Sequence, residues 1–223
     1  MAKMNPIFEE RDWVNLDISH RCPLECPRCL RYYYKERGMR IPGSDMSMEV
    51  FEKIVDYYSF LIFCGQVSDP IHHPKFIDFL KLIKAKGKRT SIHVSSSYKS
   101  LDWFIEAFKA NDEAKWTFGI DGLPKDSHKY RIHQDGEKLY KVMLESKKHL
   151  KSWPPIWQYI PFSYNEYDVE EAMSMAERDG VMFLLNISSR WDHAKGEDGY
   201  DPLMPKTESL RLKRIFEVTK NNG

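Results

Sequence analysis

Long apolar runs are missing from this 223-residue sequence. The longest, FLIFC (60–64) and MFLL (182–185), fall far short of the roughly 18 residues a membrane span requires. The amino-terminal stretch MAKMNPIFEERDW has no apolar centre of the signal-peptide kind, which leads us to expect a cytoplasmic protein with no membrane partner. Charge of one sign is also missing. Lys and Arg number 34 against 33 Asp and Glu, a net of +1, so no global field calls for a nucleic-acid partner. Repeats, low-complexity tracts and long Gly/Ser linkers are absent too. At 42% hydrophobic and 30% charged residues the chain is not disordered, and its length suits one or two domains.

Cysteine is scarce and unevenly placed. Of the four, Cys22, Cys26 and Cys29 fall within eight residues and Cys64 stands alone. Structural disulfides are rare in a reducing cytosol, so the cluster points to metal or redox chemistry. Cys64 is expected as a buried strand residue. No cysteine follows it to hold a second thiolate-bound cluster.

Short β-rich runs alternate with helical patterns. WVNLDI (13–18), FLIFC (60–64), 90–95, 116–120, IWQYI (156–160) and VMFLLNI (181–187) read as strands. Between them, Ser47 caps a helix with the face Val50, Ile54, Val55 and Tyr58. Pro74 opens one with the stripe Phe76, Phe79, Leu80 and Ile83, ended by Gly87. Further helices are expected over 101–110, over 136–150, and from a capping box at Asp168 and Glu171 to Gly180. A loop over 190–205 and a helix over 207–219 follow. Six strands with five intervening helices predict a parallel α/β sheet with right-handed crossovers. An eight-fold barrel takes about 250 residues, so six units predict an incomplete (β/α)6 TIM-like barrel with a short carboxy-terminal helical tail. A doubly wound open sheet is the alternative. In either fold the active site belongs at the carboxy-terminal strand ends.

The chemistry-bearing motif, His20-Arg21-Cys22-Pro23-Leu24-Glu25-Cys26-Pro27-Arg28-Cys29, follows the first strand directly. Three thiolates spaced CxxxCxxC on one loop suit three irons of a [4Fe–4S] cube and leave the fourth open. The alternative is a zinc site completed by His20 or Cys64, in a non-catalytic binding protein.

In this context the sequence resembles the radical S-adenosylmethionine (radical SAM) superfamily over roughly residues 13–190. FCGQVSDPIHHPKF (63–76) is similar to the family's Gly-Gly-Glu-Pro-type turn after the second strand. FGIDGLPKDSHKYR (118–131) and WQYIPFSYNEYD (157–168) resemble segments of its peptide-modifying branch. The resemblance implies a [4Fe–4S] cluster on Cys22, Cys26 and Cys29, and SAM chelated at the open iron. It implies reductive cleavage of SAM to a 5′-deoxyadenosyl radical that abstracts hydrogen from a substrate. Gly65, Gln66 and Asp69 would meet the SAM ammonium and Arg131 the carboxylate, with Asp121 a further SAM-binding candidate. Ser95, Ser96 and Ser97 would meet ribose or methionine, and Asn186 would lie on the adenine side. An electron donor of the flavodoxin or ferredoxin kind is implied.

Three positions depart from the family pattern. Arg28 stands where an aromatic residue is usual, Gln66 and Asp69 replace Gly and Glu, and Gly119 stands where the peptide-modifying branch often has Ser. The organisation expected is a core domain over 1–190, with 191–223 packed on it and no auxiliary-cluster domain. The open side of so short a barrel favours a peptide or protein side chain as substrate, ahead of a nucleotide or small metabolite. Residues 21–40 carry a net charge of +4 and 203–223 a net of +3. The first patch is expected to offset the negative cluster–SAM complex, in preference to recruiting an acidic donor or a nucleic-acid backbone.

Overall fold

The computed structural model describes residues 12–191 and 200–212. Six parallel strands run in the order of the sequence: β1 (Trp13–Asn15), β2 (Phe60–Phe63), β3 (Arg89–Val94), β4 (Lys115–Gly119), β5 (Ile156–Tyr159) and β6 (Met182–Leu185). Representative register pairs are Val14 with Leu61, Ile62 with Ser91, Val94 with Phe118 and Tyr159 with Leu185. A doubly wound sheet reverses its strand order at a switch point. This order has no reversal, and among the described residues β1 pairs only with β2 and β6 only with β5, so the sheet is an open arc of a barrel.

The sheet has two unlike faces because side chains alternate along a strand. Leu61 and Phe63, Ile92 and Val94, Trp116 and Phe118, Trp157 and Tyr159, and Phe183 and Leu185 all point to the helical layer and are buried. The other face carries Ser91, His93, Thr117 and Gln158, smaller and polar, and remains open enough to hold a cavity.

The helices are α1 (Leu30–Glu36), α2 (Met48–Tyr57), α3 (Phe76–Ala85), α4 (Leu101–Ala110), α5 (Gly136–Ser146), α6 (Val169–Asp179) and α7 (Ser209–Leu212). Ser47, Ser100 and Asp135 cap α2, α4 and α5 by accepting from the backbone N–H of Val50, Trp103 and Lys138. The α3 stripe is buried as its spacing predicts, and Gly87 follows with φ of 61°. Phe79 stacks on Phe51 of α2 with centroids 3.9 Å apart.

Several local expectations are corrected. The α2 face is Phe51 and Val55, with Val50 exposed, because the period is anchored one residue later. Pro74 precedes the α3 cap, Lys75. Asp168 makes no side-chain cap to α6, since its backbone (ψ 0°) is not in the extended conformation that aims a capping oxygen. α5 ends at Ser146, and α1 was not anticipated because Tyr32, Tyr33 and Tyr34 give no apolar period. Of the helix expected over 207–219, the part beyond 212 lies outside the described residues, as do 192–199 of the 190–205 loop. The described tail docks on the loop after β5. Ser163 donates to the carbonyls of Leu203 and Pro202, and Glu166 accepts from the N–H groups of Lys206 and Thr207. No helix among the described residues is long and apolar enough to cross a membrane.

Candidate active site

The three clustered thiols open onto one cavity of about 420 Å³ at the carboxy-terminal strand ends. The loop that carries them is tied down at each end. The Cys29 N–H donates to the Cys26 carbonyl at 3.0 Å, the Asp69 N–H to the Arg21 carbonyl at 3.0 Å, and the Glu25 N–H to the Ile132 carbonyl at 3.3 Å. Cys26 packs with Leu24, Tyr130 and Phe162, the last two stacked at 4.0 Å. Burial pushes the Cys22 thiol up, helped by the nearby Asp69. It also pushes Cys26 up, to about 11, against the pull of Arg131.

Gly65 and the residues after it form a second wall. The Asp17 carboxylate gathers the N–H groups of Gln66 (2.8 Å) and Val67 (2.9 Å) and the Ser68 hydroxyl, folding the turn back on β1. A Cβ on Gly65 would stand 2.3 Å from the Ser68 carbonyl oxygen, so only glycine fits this closure. Asp69 is buried and accepts from the N–H groups of Ser95 and Ser96 (2.8 Å each) and of Ile71 (3.3 Å). Burial pushes its carboxyl up while those donors oppose the rise.

Of the residues singled out in the sequence, Cys22, Cys26, Cys29, Gly65, Gln66, Asp69, Ser95, Arg131 and Asn186 line the cavity. Ser97 and Asp121 stand behind it. The Ser97 hydroxyl accepts from the Asp135 N–H at 2.8 Å, which anchors the start of α5. Asp121 is fully buried, accepts from the Ile160 N–H at 2.9 Å, and lies 2.7 Å from Arg131 Nε. Burial raises the Asp121 carboxyl and the adjacent guanidinium pulls it back, while Asp121 more than offsets the effect of burial on Arg131.

Other lining residues were missed. Cys64 lies one residue beyond β2, half-buried and facing the cavity, so it is not the core residue expected. Strand parity explains this, since Leu61 and Phe63 face the helices and the next inward position is Cys64. The same parity places His93 and Gln158 on the cavity wall and would have found them. Arg190 donates to Gln66 Oε1 at 2.6 Å. Among the described residues no three His, Cys, Asp or Glu side chains converge on a single metal ion, and His20 does not line the cavity. The spread of the Cys22, Cys26 and Cys29 thiols over one cavity wall is a donor set that a multinuclear cluster, with one thiolate on each of several metal atoms, can use.

No protein-family model matches the sequence. SuiB of Streptococcus suis superposes with a TM-score of 0.65 at 11% identity, over 87% of this chain and 42% of its own. The fold is that of the radical SAM enzymes. SuiB has also been solved with the precursor peptide SuiA. Native anSMEcpe with bound AdoMet gives 0.63 at 16% identity, over 85% of this chain and 55% of its own. Methylornithine synthase, PylB, gives 0.59 at 10%, over 78% and 52%. In sequence, 117 residues are 24% identical to a tungsten-containing aldehyde ferredoxin oxidoreductase cofactor-modifying protein of Pyrococcus furiosus. That match covers 50% of this chain and 31% of the relative, so the chain spans well under two thirds of the proteins it resembles.

Proposed function

We propose that this chain is a radical SAM enzyme that holds one [4Fe–4S] cluster on Cys22, Cys26 and Cys29 and acts on a peptide or protein side chain. The observation that carries the reading is the meeting of these three thiols with the Gly65–Asp69 turn on one cavity at the strand ends. When bound, the cluster supplies the electron that cleaves SAM to methionine and a 5′-deoxyadenosyl radical, which takes a hydrogen atom from the substrate.

The chain's own residues bind, orient and exclude water. The carbonyl edge of the Asp17-folded turn, with Asp69 behind it, receives the SAM ammonium. Of the arginines that line the cavity, Arg131 and Arg190 offer their guanidinium groups to the carboxylate. Ser95 and Asn186 take the ribose and adenine sides. Tyr130 and Phe162 keep water from Cys26. The peptide substrate is supported by the open arc of the sheet, which leaves lateral access, and by the precursor peptide bound in SuiB.

Anaerobic reconstitution tests this directly. About four irons and four sulfides per chain are expected, with release of 5′-deoxyadenosine from SAM under a strong reductant. Cys26→Ala is expected to lose both. A colourless protein holding one tight zinc would overturn the proposal, as would SAM cleavage unchanged in that variant.

A further inference from the structure

We infer that Gln134 is a positioning residue that fastens the ends of β3 and β4 together behind the cavity and so sets where the Ser95 hydroxyl and the Arg131 guanidinium stand. The inference rests on the SAM site proposed above, in which those two groups meet the ligand. Ser95 and Arg131 line the cavity, whereas Gln134 is buried behind it.

The pairing of β3 with β4 ends at Val94 and Phe118. Ser95 and Gly119 come next in that register, and a side chain claims both of their carbonyls. Gln134 Nε2 donates to the Ser95 carbonyl at 2.5 Å and to the Gly119 carbonyl at 2.8 Å. The Ser127 hydroxyl accepts from the Asp121 N–H at 2.9 Å and donates to Gln134 Oε1, which fixes the end of the amide that faces the carbonyls. One amide thus continues the ladder by one pair. Ser95 is held at both its polar backbone groups, by Gln134 at the carbonyl and by the Asp69 carboxylate at the N–H.

The turn that delivers this amide starts at Arg131. The Gln134 N–H donates to the Arg131 carbonyl at 2.7 Å. Inside the turn His133 has a φ of 74°, and it is the only non-glycine residue with a positive φ among the described residues. Such a conformation costs free energy and persists where surrounding bonds over-determine it. Gly119 is the meeting point. A Cβ there would lie 2.6 Å from Ser95 Oγ and 2.9 Å from Arg131 Nη2. A shift of either strand end therefore moves the hydroxyl and the guanidinium relative to each other.

The measurement is equilibrium binding of SAM to the reconstituted protein, without reductant so that SAM stays intact, beside thermal unfolding. Gln134→Met is similar in size but has no donor. It leaves two buried carbonyls unpaired and is expected to weaken SAM binding roughly tenfold. Ser127→Ala frees the amide to turn and is expected to weaken it roughly fivefold; it serves if the methionine variant fails to fold. A role in stability alone would not couple to a hydroxyl on the cavity wall. In a Ser95→Ala background the Gln134→Met loss should therefore shrink to about threefold or less. SAM affinity within twofold of wild type in whichever variant folds, with only the unfolding temperature lowered, would overturn the inference. So would a tenfold loss repeated in full beside Ser95→Ala. Either result leaves the cluster assignment standing. A wild-type protein that neither assembles a cluster nor binds SAM would instead remove the underlying reading.

Discussion

Gly65→Ala puts the smallest side chain where the site has no room for one. The added Cβ would stand 2.3 Å from the Ser68 carbonyl oxygen and 2.9 Å from both Asp17 Oδ1 and Ser68 Oγ. The nearest of these is backbone, so the turn itself must retreat by about 0.7 Å merely to reach a tolerated contact. The turn is not free to do so, because Asp17 holds the N–H groups of Gln66 and Val67, and Asp69 holds the loop after β3. Relief therefore breaks at least one bond to a charged acceptor, worth about 1.5–3 kcal/mol. If the ligand needs that turn, SAM affinity should fall roughly 10- to 100-fold. Equilibrium binding of SAM to the anaerobically reconstituted protein measures this, alongside thermal unfolding. Gly87→Ala is the control. Its φ of 61° makes it strained, by about 1–2 kcal/mol, yet nothing lies within 4 Å of the new Cβ. It should lose stability and bind SAM normally. A Gly65→Ala protein that binds SAM within twofold of wild type would refute the role given to the turn.

Three further outcomes are expected. Asp201→Ala removes one side of the Arg28–Asp201 pair, which is almost wholly buried, and should cost about 3 kcal/mol in urea unfolding; a loss below 1 kcal/mol would show that the tail is not clasped there. Asp112 is held down to about 2 by Lys151 and Lys84, so its contribution is complete above about pH 4 and fades as pH falls through 2. Because those lysines are 77% and 40% exposed in their side chains, Asp112→Asn should cost only about 1 kcal/mol at neutral pH, and a gap that persists at pH 2 would contradict the ion-pair origin. His93 is pushed down to about 4 by burial and then by Lys115, so the folded state holds it neutral and loses stability as pH falls from about 6.5 to 4. His93→Gln should flatten that slope by about 2 kcal/mol, and parallel stability curves would refute it.

The fold was largely legible because parallel strands buried under helices carry a strong signal. Runs such as IWQYI and VMFLLNI, and the α3 stripe, are dictated by period alone, and the sequential strand order follows from right-handed crossovers between neighbours. Details failed where tertiary contacts decide. α2 turns to bury Phe51 against Phe79, and α1 starts at Cys29 with no apolar face. The site was half legible. The cysteines and the Gly65–Asp69 turn announce themselves by spacing. Asp17, His93 and Gln158 do not, since His93 and Gln158 are single polar residues whose inward parity alone puts them on the cavity wall, and Asp17 acts only through its bonds to a turn about 50 positions away.

The basic stretch 21–40 shows why net charge along a sequence misleads about surfaces. Arg21 pairs with Asp45, Lys35 with Glu25, and Arg28 with Asp201, while Arg31 donates to the carbonyls of His20 and Val67. Most of the excess is thus spent holding the cysteine loop and its neighbours in place, and little of it is left to recruit an anionic partner. Arg28 and Gly119 then share one logic. At the first, a cation reaches across 173 positions to a buried carboxylate in the tail, where the resembling family usually has an aromatic residue. At the second, the lost side chain makes room for Arg131 and its own buried carboxylate, Asp121. Both departures set an arginine–aspartate pair close to the cavity, the first next to Cys29 in the chain and the second on the wall formed after β4. The two sites therefore make separable predictions, the first for how firmly the tail closes the cysteine loop and the second for how rigidly the Arg131 guanidinium is held at the cavity wall.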